Sequence, residues 1–296
     1  MNQFRMLKPE EAARRAKEKV AAFKKEQEIK KAKAKRNPAA AQNPIVEEPK
    51  KRLGTEEQEG LNKKLLRVVG IIVIRSDGWN GDEVERLIKA GANVNCRDSE
   101  GKTPLDIWGD AEHPVRDVLL KYGAKTGEEM KKLDTELLAA AKEWNAPEIV
   151  RLIDAGADVE AKGPLGKTPL MIAATEGNVD VVLALVRNNA EIDATDQYEN
   201  TALMSACGQG YSNIADILIG RGANVNAWPN GTGTPLVRAA KNEHYELALL
   251  LITRGADVNS KNGVGKTALD HAKMDGDRSL FHFLRGNGGK LGVELL

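Results

Sequence analysis

The chain is poor in aromatic residues and in cysteine: of its 296 residues, 4% are Phe, Trp or Tyr and two are cysteines, Cys96 and Cys207. Two distant thiols outside any C-x-x-C or Cys/His cluster cannot staple a chain of this length. They exclude a disulfide framework and point to a reducing compartment. Few aromatics leave the apolar load on Leu, Val, Ile and Ala, which favours helices packed on small residues. Long hydrophobic runs are also missing. The longest, Val68 to Ile74, is seven residues broken by Gly70, against about 20 for a membrane helix, so no transmembrane segment is expected. Residues 1 to 10 lack the apolar stretch of a secretory signal, and the expected location is cytoplasmic.

Net charge is nearly absent too, at +1, but the sum conceals an asymmetry. Residues 1 to 36 carry +8, residues 37 to 60 carry -2 and the remainder carries -5. The chain is a basic arm on an acidic body.

What is abundant is repetition, and a fixed period changes the meaning of every residue. Gly-Lys-Thr occurs at 101 to 103, 166 to 168 and 265 to 267, and from Thr168 the threonines recur at Thr201, Thr234 and Thr267, a spacing of 33. A second phrase keeps the same period: Gly156-Ala157-Asp158-Val159, Asn189-Ala190-Glu191-Ile192, Gly222-Ala223-Asn224-Val225 and Gly255-Ala256-Asp257-Val258. Thr135 and Thr103 extend the series backwards with a spacing of 32 between them, and a degenerate unit starts near Gly70, giving seven units. Within a unit, Thr caps a helix that opens on Pro. Leu170, Ile172, Ala173 and Ala174 give it an apolar face, Gly177-Asn178 closes it, and Val181, Val182, Leu185 and Val186 mark a second helix. Neither helix buries its stripe alone, so the units must stack as a solenoid.

Thr168-Pro169-Leu170-x-x-Ala173-Ala174-x-x-Gly177-Asn178, then Val182-x-x-Leu185-Val186 and Asn189-Ala190-x-Ile192-Asp193, resembles the ankyrin repeat. The resemblance covers about residues 61 to 288 and implies an all-α solenoid of helix-turn-helix units with hairpin-like tips. The expected division is a basic helical or coiled tail at 1 to 36, a flexible Pro/Glu-rich linker at 37 to 60, and an N-terminal cap with two degenerate repeats at 61 to 131. Five repeats at 132 to 288 and a frayed C-terminal tail at 289 to 296 follow. Leu61 to Leu66 reads as a capping helix. Tyr122 to Glu129 looks like the closing phrase of a terminal repeat lying inside the array, which places a softer joint near residue 131. Departures from the pattern carry expectations of their own. Trp108 stands at a small-Ala position and should force its repeat open. Trp79 and Trp144 replace the glycine of Gly177 and Gly210, so Gly78, Asn80 or Asn145 should take the left-handed turn instead.

Catalytic chemistries fail on spacing. A phosphate-binding G-x-x-x-x-G-K-[ST] loop needs Gly at 96, 161 or 260, where the chain has Cys96, Ala161 and Ser260. His113, His244, His271 and His282 form no metal-ligand spacing, no Ser sits in G-x-S-x-G, and Cys207 occupies a helical packing position. The chain reads as non-enzymatic, without cofactor, metal or small-molecule substrate.

The resemblance implies a partner protein held by hairpin tips and the concave side of the first helices. Those positions hold Lys162, Leu165, Lys167, Thr175, Glu176, Gln197, Tyr198, Asn200, Gln209, Trp228, Asn230, Lys241, Asn242, Val264 and Lys266. Tyr198 and Trp228 are candidate anchors, since no repeat position requires an aromatic there. The alternative for Trp228 is folding over Pro229 to stiffen its own loop. In the tail, Lys30, Lys31, Lys33, Lys35 and Arg36 are candidate electrostatic contacts to an anionic surface, nucleic acid or import receptor, with a solvated charged helix as the alternative. The expected function is a monomeric protein-binding scaffold. Its rivals are anionic-surface or nucleic-acid binding through the tail, and a regulatory, inhibitory or targeting subunit of an enzyme or a bacterial host-directed effector.

Overall fold

The computed structural model describes residues 55–75 and 81–295 except 111, 230, 275 and 277. The basic tail, the linker before Thr55, and Trp79 with its neighbours lie outside the described residues. Among the described residues the secondary structure is helical: α1 (Thr55–Arg75), α2 (Asp82–Lys89), α3 (Pro104–Trp108), α4 (Pro114–Lys121), α5 (Gly127–Lys142) and α6 (Ala146–Asp154) come first. They are followed by α7 (Pro169–Glu176), α8 (Val179–Arg187), α9 (Ala202–Gln209), α10 (Ser212–Gly220), α11 (Pro235–Lys241), α12 (Tyr245–Thr253), α13 (Ala268–Met274) and α14 (Arg278–Gly286). Contacts divide the chain into two compact units, one of Ile45–Leu137 with Arg151–Asp158 and one including Leu138–Val150 and Val159–Leu296.

In the second unit the 33-residue period is a packing period. First helices α7, α9, α11 and α13 each pack on the next, and each packs on its own second helix. Their starts are set by buried threonines: Thr168, Thr201 and Thr234 accept hydrogen bonds from the backbone N–H of Met171, Met204 and Val237. Each cap contributes about 1 kcal/mol. Gly177 and Gly210 end α7 and α9 at φ of 83° and 82°. A side chain at either position would strike the next repeat, since an added Cβ lies 2.5 Å from the Tyr211 ring and 2.7 Å from the His244 ring respectively. The core is made of Leu170, Leu185, Leu203, Ile214, Leu218 and Leu236 with the small residues Ala173, Ala206 and Ala239, all at most 1% exposed.

Three of the hairpins between the helix pairs are each held by one side chain. Asp196 Oδ1 accepts from the backbone N–H of Tyr198 (2.8 Å) and Asn200 (2.9 Å), and Asn262 Oδ1 accepts from Val264 (3.1 Å) and Lys266 (2.9 Å). Asp98 does the same for Glu100 and Lys102 in the first unit. Short polar residues are the ones that offer this local bond. A second stitch runs between repeats: Glu160, Asp193 and Asn226 accept from the backbone N–H of Glu191, Asn224 and Asp257, each 31 residues further on. Both bonds are local, so stability propagates from neighbour to neighbour.

In the first unit α1 packs on α2 and α3, α2 on α4, and α3 on α4. Leu65, Val69, Val84, Leu87, Leu105, Val115 and Leu119 form one buried cluster with Cys96. Here the structure corrects several sequence expectations. The linker does not extend to residue 60, because helix α1 begins at Thr55, and α1 is one continuous helix through Leu61–Leu66 and Gly70 rather than a cap followed by a separate start. Glu56, Glu57, Gln58 and Glu59 are good helix formers with acidic groups in the first turn, and they extend the helix backwards.

Thr135 does not head a helix. It lies inside α5 and its hydroxyl donates to the Lys131 carbonyl at 2.8 Å. No Pro follows it, and the start is set earlier by Thr126 and Glu129, which cap reciprocally: Glu129 N–H donates to Thr126 Oγ1 (3.2 Å) and Thr126 N–H to Glu129 Oε2 (2.8 Å). Trp108 is accommodated at the last position of a short helix. Helix α3 ends at Trp108, and the half-buried indole lies against the His113 ring, centroids 4.6 Å apart. Trp144 takes the left-handed turn itself at φ 62°, while Asn145 instead accepts the N–H of Glu148.

The C-terminus through Leu295 is not frayed. Arg285 forms two hydrogen bonds to Glu294, and Gly292 N–H donates to Asp270 Oδ2 at 2.7 Å. The closing phrase at Lys125–Gly127 has the same architecture. In each, a threonine (Thr103 or Thr267) donates its hydroxyl to a returning carbonyl, of Lys125 or Lys290. In each, the aspartate three residues after it (Asp106 or Asp270) accepts from the threonine N–H and from a returning glycine N–H, Gly127 or Gly292. A Cβ on either glycine would collide with the carbonyl of Gly101 or Gly265, so the chain closes over its own hairpin where the next hairpin would otherwise pair.

Candidate functional site

Two junctions between hairpins of the second unit pair edge to edge: Gln197 N–H donates to the Leu165 carbonyl (3.0 Å) and Gly263 N–H to the Gly231 carbonyl (3.3 Å). This fixes the tips in a row. Large apolar side chains stand on successive tips, with Leu165 49% exposed, Tyr198 55%, Trp228 53% and Val264 76%. Hydrophobes singly exposed are ordinary, but one per tip along a row is a patch with an apolar rail. Leu165 holds φ 63°, a left-handed conformation that a leucine adopts at a cost, so its display is imposed by the turn. Trp228 donates its indole N–H to the Lys261 carbonyl of the next hairpin at 2.7 Å. Its polar atom binds two tips together and its apolar faces stay half exposed, while Pro229 beside it is buried.

The other sequence-predicted residues fall into two groups. Lys167 and Lys266 are half-buried, and Lys162, Gln197, Gln209, Lys241 and Asn242 are exposed, all on the hairpins or the ends of the first helices. Lys162 Nζ donates to the Thr195 carbonyl (3.1 Å), Lys266 Nζ lies 3.1 Å from Met274 Sδ, and Asn242 Nδ2 donates to the Gly208 carbonyl (2.9 Å). Thr175 and Asn200 are partly consumed by the fold. The Thr175 hydroxyl donates to Met171 O, and the Asn200 amide donates to Asp196 Oδ2 at 3.0 Å. Glu176 is half-buried at the end of α7. Asn230 and the tail residues Lys30, Lys31, Lys33, Lys35 and Arg36 lie outside the described residues.

Spacing alone passed over Arg238. Four residues after the capping threonine the repeats read Ile172, Ser205, Arg238 and His271, so a guanidinium takes a place held in the two preceding repeats by an apolar or small residue. Arg238 donates to Asn200 Oδ1 on the preceding hairpin and to Thr232 Oγ1 on its own at 2.8 Å. It therefore sits in the angle between hairpins and first helices. The next repeat echoes this contact, with Asn262 Nδ2 and His271 Nε2 3.4 Å apart. Burial pulls the Arg238 pKa below its ordinary value, against the nearby Cys207 and Asp196. Among the described residues no group of His, Cys, Asp and Glu could hold a metal ion, and no helix is long and apolar enough to cross a membrane. The thiols are buried and free, the Cys96 thiol being pushed up to about 12 by burial and that of Cys207 also raised.

Two family models match the chain: Ankyrin repeats (3 copies) over residues 137–228 and Ankyrin repeats (many copies) over residues 218–272. Comparison with curated proteins gives no match.

Proposed function

We propose that this chain, which matches ankyrin-repeat family models over residues 137–272, is a non-enzymatic scaffold whose second unit holds a partner protein on its hairpin tips and first helices. Ankyrin repeats generally mediate protein–protein interaction, and as domains they are typically non-enzymatic. The observation that carries the reading is the row of Leu165, Tyr198, Trp228 and Val264, which the fold displays to solvent instead of burying. Rigid aromatics bring large contact area with few rotors, which is why they concentrate at binding hot spots. The partner is expected to bind a monomer in the cytoplasm.

The test is cross-linked affinity capture from the native cell with the full chain and with a Tyr198→Ala, Trp228→Ala double variant. Partner recovery should fall, by about 2 kcal/mol in affinity or more, while the fold loses only the Trp228–Lys261 hydrogen bond, about 1 kcal/mol. Equal recovery by both proteins counts against this surface. The tail, at +8, is the second contact. Deleting residues 1 to 36 should flatten the salt dependence of any anionic-surface binding and leave capture on the tips intact.

A further inference from the structure

The tip surface is cationic as well as apolar. Lys162, Lys167, Lys241 and Lys266 stand on these hairpins and first helices. Arg238 is the most constrained of these cations. Its two bonds go to neutral oxygens, its Nε is buried without a hydrogen-bond partner, and among the described residues it forms no ion pair. The nearest buried acid, Asp196, spends its oxygens on the N–H groups of Tyr198 and Asn200 and on the Asn200 amide. A half-buried guanidinium balanced only by neutral oxygens is costly in the free protein, and a carboxylate is the group whose planar geometry fits it. Asn200 and Thr232, which hold the guanidinium, belong to the same two hairpins that present Tyr198 and Trp228.

We propose that Arg238 is the specificity point of the tip surface, and that it receives the carboxylate of an Asp or Glu side chain from an extended peptide segment whose apolar residues lie on Tyr198 and Trp228. The proposal rests on the scaffold reading above and names the chemistry of its partner. A nucleic-acid strand would call for a run of phosphate contacts, whereas this surface alternates single cations with apolar tips.

The test uses the full chain against a displayed library of random dodecapeptides, followed by affinity and melting measurements on variants. Enriched peptides should share an acidic residue next to an apolar one, and Arg238→Met should weaken them about tenfold or more with the melting temperature held or raised. Arg238→Lys, which keeps charge and loses the planar fork, should fall between. Enriched peptides without an acid, peptides indifferent to Arg238→Met, or no enrichment at all would overturn the proposal. So would an Arg238-dependent preference for a single-stranded DNA oligonucleotide over the acidic peptides. If the Tyr198→Ala, Trp228→Ala variant weakens peptides that Arg238→Met leaves alone, the scaffold reading stands and only the Arg238 assignment falls. If neither variant matters, both fall.

Discussion

At residue scale the left-handed turns separate two glycine-like positions that the repeat period treats as equal. Gly177 holds φ 83° with the Tyr211 ring against it, whereas Trp144 holds φ 62° with its side chain 62% exposed. Gly177→Ala should therefore cost about 1–2 kcal/mol for the backbone and a further increment for displacing Tyr211. Trp144→Gly should stabilise by about 1 kcal/mol. Denaturant midpoints measure both, and a Trp144→Gly protein of unchanged or lower stability would show that the indole makes a compensating contact. The thiols give a second expectation. Cys96 and Cys207 are buried with raised pKa values, so a thiol reagent should titrate neither in the native protein and both after denaturation. The sequence made Cys207 legible as a packing residue through its helical register. Arg238 was not legible, because a charge at one register position looks like any surface arginine until its neighbours on two hairpins are known.

At element scale the closing phrases hold the most charge-dependent structure. Burial works to raise the pKa of Asp270, but acceptance from the Thr267 and Gly292 N–H groups outweighs it and leaves the carboxyl below its ordinary value. Glu294 is held down to about 2 by the Arg285 guanidinium and the Leu291 N–H. A carboxylate whose folded pKa is depressed stabilises the fold above its unfolded value, and that stability drains as pH falls through the folded one. The C-terminal closure should accordingly weaken between pH 4.5 and about 2, and Glu294→Gln should show a flatter melting temperature across that window than the parent. Asp270→Ala removes the acceptor of two backbone N–H groups and should cost about 1–3 kcal/mol at neutral pH, read by urea denaturation. Helix starts were readable from the threonine period wherever Pro or a hairpin accompanied it. Thr135 misled because the same letter, without either companion and after a stronger cap at Thr126, becomes an interior residue of α5.

On the scale of the whole molecule, hydrogen bonds and packing link each repeat to the next rather than to distant ones. The substitutions Asp106→Ala and Asp270→Ala act in different compact units, and their stability losses should add within about 0.5 kcal/mol in the double variant. A larger coupling would mean that the units share stability. The repeat class and much of the core were open to sequence reading because a period repeated four times averages out local exceptions. The closing phrase at Tyr122–Glu129 was legible as a phrase, but the matching closure at Gly292 depended on single hydrogen-bonded residues that have no period to betray them.

The stitch from each repeat to a backbone N–H 31 residues later has a bearing on how such a chain can grow. Every interior repeat presents its successor with the same acceptors, so the array is length-blind: a duplicated Thr201–Gly233 segment inserted in register finds the same neighbours on both sides. The segment Lys290–Leu295 works as punctuation, occupying the edge of the last hairpin.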